Sequence, residues 1–378
     1  MTEEAKGTRA IEEPGLRLGF GLMRLPKLAD GHTIDEAQTA KMADMFLGAG
    51  GTYFDTAYVY DDGASEEVCG RAIVDRHPRD SFTLATKLNA RVAKDAEDAR
   101  RQLDVSLERT HAGYFDYYLL HSLMLNNHET YDKYGLWDFC RRQREEGRIR
   151  HFGFSFHGTP ALLERLLDEN PDVDFVKLQV NYADWDDPNI SSAKNVAICQ
   201  ERHMPFVVME PVKGGTLATP PEQVARILKE AEPEASLPSW AIRFAASQPG
   251  VLVVLSGMSD VAQMADNLSF MRDFKPLTSE ELAVIDKARA ELSKLDLIRC
   301  TGCSYCTKGC PVGMQIPDIF KAMNTYLMGG EAPARRSYGF AVPRAHASDC
   351  LACGQCEAAC PQHLPIIENL RRCAEVFD

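Results

Sequence analysis

Between residue 15 and about residue 275 the chain alternates short apolar runs with amphipathic stretches. The apolar runs are four to seven residues long, the length of buried strands. They predict strands at Leu18–Leu22, Thr52–Asp55, Phe82–Thr86, Phe115–Leu120, Ile149–Ser155, Phe175–Asn181, Pro205–Glu210 and Val251–Ser256. Between them, apolar residues recur at helical spacing in Ile34–Leu47, Ser65–Val74, Ala96–Thr110, Thr159–Glu169, Ser191–Arg202 and Leu237–Ser247. Eight strand–helix units within about 260 residues match the count and size of a (β/α)8 barrel. A doubly wound sheet would need fewer strands and usually a glycine-rich phosphate loop after the first. No G-x-G-x-x-G or Walker sequence opens any of these helices. The expected fold class is therefore α/β, a TIM barrel over residues 15–295.

The pattern then changes. A charged helix over Ser279–Leu295 is expected to close the barrel domain, with a boundary near Asp296. The remaining residues, 296–378, hold two cysteine runs. Cys300, Cys303, Cys306 and Cys310 follow C-x2-C-x2-C-x3-C-P, and Cys350, Cys353, Cys356 and Cys360 repeat it. This is the ligand run of bacterial-type ferredoxins, and two copies imply two 4Fe–4S clusters. Three thiolates on one tight loop reach three irons of a cube; in two-cluster proteins the fourth Cys ligates the other cluster. The implied sets are Cys300, Cys303, Cys306 and Cys360 for one cluster, and Cys350, Cys353, Cys356 and Cys310 for the second. A zinc ribbon needs only two C-x2-C pairs, and disulfides do not demand a doubled run. Between the runs, Pro317–Leu327 reads as helix and Gly329–Pro343 as turn-rich. The segment resembles the helical ferredoxin domains of respiratory iron–sulfur subunits more than the compact β-containing ferredoxin.

Composition adds limits. The net charge of −13 argues against a nucleic-acid surface. No apolar stretch approaches a membrane span, and the opening residues MTEEAKGTRA carry no apolar signal core, so no membrane association and a cytoplasmic location are expected. The four remaining cysteines, Cys69, Cys140, Cys199 and Cys373, are scattered and read as small buried hydrophobes of a reducing compartment. The basic run Arg141, Arg142, Arg144 and Arg148, interleaved with Glu145 and Glu146, reads as the solvated face of a helix.

Active sites of such barrels form at the C-terminal ends of the strands. Those positions bring Asp55 and Tyr60 after the second strand, Lys87 after the third, His121 after the fourth, Ser155 after the fifth and Gln179 after the sixth. A Tyr, a Lys, an Asp and a His on one rim form a proton-transfer device. A tyrosine with a pKa of about 10 is a poor acid at neutral pH. A neighbouring ammonium lowers that value, and an Asp holds the lysine charged and in place. The histidine can orient a carbonyl oxygen.

The motifs carrying these residues, FDTAYVY (Asp55, Tyr60), ATK (Lys87) and YYLLHS (His121), resemble the aldo-keto reductase family from roughly Leu16 to Leu295. The resemblance implies Tyr60 as general acid, tuned by Lys87 and Asp55, with His121 positioning the substrate carbonyl. It also implies a nicotinamide pocket, here altered. Ser155 is matched, but Phe156 stands where Asn is usual. Gln179 is matched, while Met209 replaces the stacking Tyr after the seventh strand and Glu210 a Ser. Lys213, with the backbone of Gly214 and Gly215, is implied at the pyrophosphate, and Gln263 and Asn267 at the adenosine, without the Lys and Arg that grip a 2′-phosphate. Met23, Tyr58, Met124, His157, Tyr182 and Trp185 are expected around the mouth, a lining suited to a small organic molecule.

A nicotinamide moves electrons in pairs and clusters move them singly. Coupling them calls for a flavin or a substrate that accepts electrons stepwise. Three functions are thus expected. The first is an oxidoreductase acting on a small carbonyl, alcohol or activated alkene, with NAD(P)H or a flavin as cofactor and clusters linking the site to a ferredoxin or flavoprotein. The second is an electron-transfer or redox-sensing module with the barrel as docking scaffold. The third is a plain NAD(P)H carbonyl reductase with structural clusters.

Overall fold

The computed structural model describes residues 11, 14–188, 190–327 and 331–378. Eight parallel strands close into a barrel: β1 (Leu18–Gly21), β2 (Tyr53–Asp55), β3 (Thr83–Leu88), β4 (Phe115–Leu123), β5 (Ile149–Phe156), β6 (Phe175–Gln179), β7 (Phe206–Met209) and β8 (Val251–Ser256). Each strand pairs with its successor, and β8 returns to β1 through Leu18 opposite Val254. Parallel strands covered on both faces read as nearly unbroken apolar runs, and every residue of β4 is accordingly buried. Gly153 leaves no room for a side chain between β5 and β6. A Cβ there would lie 2.2 Å from the Phe175 carbonyl oxygen.

The helices begin where the sequence supplies caps. Asp95 accepts from the Glu97 and Asp98 N–H groups at the start of Ala96–Thr110. Thr159 caps Pro160–Glu169, with the proline at its first position, and Asp260 caps Val261–Met271.

Inside the barrel, Tyr53, Ala85, Tyr117, Leu119, Phe175, Val207, Val253 and Leu255 form a packed cluster, with the rings of Tyr53 and Tyr117 4.9 Å apart. The interior is thus filled by side chains, which leaves the C-terminal rim for chemistry.

The basic run differs from its expectation. Arg141 and Arg144 lie on the helix Leu136–Glu145, but they clamp Asp172, at 2.9 Å and 3.0 Å, and Arg144 also meets Asp174 at 3.1 Å. Arg141 also pairs locally with Asp138 at 2.7 Å, but Asp172 and Asp174 lie some thirty residues downstream, beyond the reach of a local charge pattern. These two arginines, only partly exposed, fasten the connection into β6, while Arg142, Glu145 and Glu146 are exposed as expected.

By packing, the chain divides into two compact units. The first holds the described residues up to Asp186 with Ser191–Pro211 and Ala241–Leu277, and therefore the whole barrel. The second holds Asp187–Ile190, Val212–Trp240 and Thr278–Asp378. Within the second, the amphipathic helix Glu222–Ala231 packs on the helix Ser279–Leu292. Its core gathers Ile298, Met314, Ile319, Phe320, Met323, Tyr338, Ile366 and Leu370. The Tyr338 ring stacks on Phe377 at 4.5 Å, and its hydroxyl donates to Asp378 at 2.6 Å, tying down the last helix, Ile366–Phe377.

The segment expected to be turn-rich carries a helix, Glu331–Ala341. Ala334, Tyr338 and Ala341 fall at i, i+4 and i+7 and are all buried. The proline at position 333 sits in the first turn, where its missing N–H is not needed. Of the residues that suggested turns, the proline at 333 opens the helix, Pro343 follows it, and Gly339 is accommodated within it. Gly329 itself lies outside the described residues.

Among the described residues no helix is long and apolar enough to cross a membrane.

Candidate active site and cysteine-lined hollows

β2 ends at Asp55, and its carboxylate is 2% exposed. β3 directs Lys87 to meet it: Nζ donates to Asp55 Oδ1 at 2.7 Å and also to the Thr56 carbonyl. Three residues past Ala57 the chain turns through Asp61 and Asp62 in left-handed conformation, φ 47° and 55°, and reaches Gly63 at φ 100°. Lys27 pairs with Asp61 at 2.7 Å and steadies this turn. Tyr60, at its head, is buried with its ring centroid 4.5 Å from Lys87 Nζ. The His121 ring from β4 meets the Tyr60 ring edge-on at 5.8 Å. The four residues read from the sequence therefore come together on one rim.

The electrostatics follow from burial and charge. Burial opposes a charge on Asp55, but the Lys177 and Lys87 ammoniums outweigh it and hold the carboxyl below its usual value. Burial, aided by Lys87 and Lys177, pushes His121 far below an ordinary imidazole, so the ring is neutral. A neutral imidazole offers one donor and one acceptor.

Lys177 was missed in the sequence. It lies on β6, 3% exposed, and donates to Asp55 Oδ1 at 2.9 Å. A signal was present: in the run FVKLQV, Lys177 stands two residues before Gln179 and so shares its inward face.

The residues expected around a nicotinamide occupy strand ends and carry bonds of their own. Ser155 Oγ accepts from the Ser122 N–H at 2.6 Å, which leaves its own proton to donate. Gln179 donates to Asp184 at 2.9 Å, and Asp184 also accepts from Asn181 at 2.9 Å. Met209 lies opposite Gln179 in the sheet register and is partly exposed. Gln263 accepts from the Ser259 N–H at 2.8 Å, and Asn267 donates to Ser256 at 2.7 Å. Of the expected mouth residues, Met124 and Tyr182 are buried, Tyr182 edge-on to Phe244, while Met23, Tyr58, His157 and Trp185 are partly exposed.

In the second unit, Lys213 is buried and Gly214 is left-handed at φ 63°. Two hollows there sort the cysteines. One is walled by Cys300, Cys303, Cys306 and Cys360 with Phe320 and Ile366. The other is walled by Cys310, Cys350, Cys353 and Cys356 with Met314 and Leu370. Each hollow takes three cysteines from one run and one from the other, the exchange read from the spacing. Among the described residues no group of three or more His, Cys, Asp or Glu is gathered for a single metal ion. Each quartet instead surrounds a space, as a cube of iron and sulfide requires. Burial pushes the Cys306 and Cys360 thiols up, and that of Cys356 to about 11, so iron has protons to displace on binding. Cys69, Cys140, Cys199 and Cys373 are buried, and burial raises each thiol, as expected of inert fillers.

Comparison with known proteins yields two regions. The aldo/keto reductase family profile matches residues 17–290, and the 4Fe-4S dicluster domain profile matches residues 299–364. An uncharacterized oxidoreductase, YqkF of Bacillus subtilis, is 23% identical over 283 residues, spanning 66% of this chain and 87% of that protein. An aldo-keto reductase of Klebsiella pneumoniae in complex with NADPH superposes with a TM-score of 0.58 at 22% identity, covering 72% of this chain and 90% of the other. The holo form of an aldo-keto reductase of Bacillus halodurans gives 0.57 at 24% identity, covering 72% and 91%.

Proposed function

This chain is a member of the aldo/keto reductase family with a C-terminal 4Fe–4S dicluster domain, and we propose that it is an iron–sulfur oxidoreductase acting on a small carbonyl, alcohol or activated alkene. The observation that carries this reading is the Lys87 ammonium, 2.7 Å from Asp55 and 4.5 Å from the centre of the Tyr60 ring. In the reducing direction Tyr60 Oη gives its proton to the carbonyl oxygen as the carbon gains hydride. The ammonium stabilises the phenolate left behind, and Asp55 keeps the lysine aimed at it. Neutral His121 lends a hydrogen bond to the same oxygen and adds no charge. In the oxidising direction Tyr60 takes the proton back.

A bound nicotinamide would supply the hydride, as the NADPH in the Klebsiella pneumoniae complex suggests. Ser155, through its hydroxyl proton, and Gln179 are the side chains that would hold its carboxamide, with Met209 beside the ring. Gln263 and Asn267 would face its adenosine. Bound clusters supply one-electron transfer, and the eight run cysteines are the donor set that would hold them. Exchange with a ferredoxin or flavoprotein would follow from that chemistry.

The test is anaerobic turnover of 4-nitrobenzaldehyde with NADPH by Tyr60→Phe and by the parent, both with clusters loaded. A loss of about 10²–10⁴-fold is expected. Unchanged turnover would overturn the acid–base assignment. Failure of the parent to bind nicotinamide or reduce any aldehyde would favour an electron-carrying module. Turnover indifferent to bleaching of the clusters would make them structural.

A further inference from the structure

Asp55 Oδ1 accepts from two lysines at once, Lys87 at 2.7 Å and Lys177 at 2.9 Å. Its Oδ2 has no hydrogen-bond partner among the described residues. Both lysine side chains are nearly sealed from water, at 1% and 3% exposure. Two ammoniums on one carboxylate oxygen carry an excess positive charge in a poorly solvated place, and such groups titrate as a coupled set. A packed barrel layer asks for an apolar side chain at this position. The residues opposite Lys177 on the flanking strands are Ser155 and Val207, neither of which titrates.

We propose that Lys177 is a positioning residue of the proton-transfer apparatus, competing with Lys87 for Asp55 so that its charge state governs how readily Tyr60 releases a proton. This rests on the reading of Tyr60 as acid and base. Charged, Lys177 draws on the Asp55 oxygen and raises the positive potential around the Tyr60 ring, which favours phenolate. Neutral, it leaves Asp55 to Lys87 and lowers that potential. Burial pushes Lys177 down to about 7, against the upward pull of Asp55 and with the downward push of Lys87. The change of charge therefore falls near neutrality. The charged and titratable groups that face it are Asp55 on β2 and Lys87 on β3, with His121 on β4 neutral throughout.

The experiment compares the parent holoprotein with Lys177→Arg, a fixed positive charge, and Lys177→Met, a fixed neutral side chain. Ultraviolet difference titration against the same background carrying Tyr60→Phe isolates the Tyr60 phenolate. Tyr60 is expected to titrate about one pH unit lower in Lys177→Arg than in Lys177→Met, a tenfold change in proton affinity. Identical titrations overturn the proposal. If the arginine variant does not fold, the pH profile of kcat/KM for 4-nitrobenzaldehyde decides. The parent is expected to show an inflection near pH 7 that Lys177→Met lacks; an inflection retained by the variant overturns the proposal. Full turnover by Tyr60→Phe would instead sink the acid assignment, and the spectroscopic comparison would still report whether Lys177 acts on the phenol.

Discussion

Gly214 comes so close to Thr301 that a Cβ on it would stand 2.2 Å from the Thr301 carbonyl oxygen. Thr301 follows Cys300, so the wall of one cysteine hollow is braced by the backbone of a loop from the middle of the chain. A second brace is the ion pair of Arg299 with Asp187. Gly214→Ala meets both this clash and a left-handed backbone at φ 63°. The strain alone costs about 1–2 kcal/mol, and relieving the clash must move the Thr301 backbone. We expect a lower melting temperature and reduced iron content in the variant, measured on anaerobically purified protein. Full iron at the parent melting temperature would refute the brace.

The exchange of cysteines between hollows predicts crossed phenotypes. Cys360→Ser should impair the cluster otherwise held by Cys300, Cys303 and Cys306. Cys310→Ser should impair the one held by Cys350, Cys353 and Cys356. Each variant should lose about half of its iron. Each should also resemble, in its electron paramagnetic resonance spectrum, a serine variant in the opposite run: Cys360→Ser like Cys303→Ser, and Cys310→Ser like Cys353→Ser. Pairing within runs would reverse that resemblance.

Asp55→Asn would leave two buried ammoniums without a counter-charge, at a cost of about 3–5 kcal/mol. An unpaired buried lysine has a folded pKa below its unfolded value, so the folded state binds fewer protons and stability rises with pH. Urea unfolding should therefore find the deficit of this variant smaller at pH 9 than at pH 6. A deficit independent of pH would mean that charge is not its cause.

Glu66 offers the opposite sign. It is fully buried, accepts from Thr86 at 2.6 Å and from Arg109 at 3.2 Å, and burial raises its pKa despite both partners. Its folded form therefore holds its proton more tightly than the unfolded chain. The stability this gives is present below the unfolded value of 4.5 and is lost as pH rises through the folded value. Glu66→Gln should flatten that decline relative to the parent. Parallel pH–stability curves for the two proteins would show that Glu66 does not contribute to it.

All eight strands were legible because a parallel barrel buries both faces, and so writes each strand as a short apolar run. Asp55, Tyr60, Lys87 and His121 were legible because strand ends are where such barrels put chemistry. Lys177 was not, since a charge inside an apolar run carries no sign of what it meets, and Asp55 lies 122 positions away. The clamp of Arg141 and Arg144 on Asp172 escaped for the same reason. The helix Glu331–Ala341 was hidden by glycine and proline, whose effect depends on which turn of the helix they occupy.

The shared walls of the two hollows set an order of events in biosynthesis. The wall containing Cys300 lacks its fourth member until Cys360 has been made, whereas the wall containing Cys350 draws on Cys310, already 40 positions behind it, and lacks only Cys353 and Cys356. The hollow with Cys350 gains its last cysteine at Cys356 and the other at Cys360, four positions later. A nascent chain therefore emerges with its barrel strands complete and its cysteines uncommitted, and the two sites reach completion together, within the same few residues of synthesis.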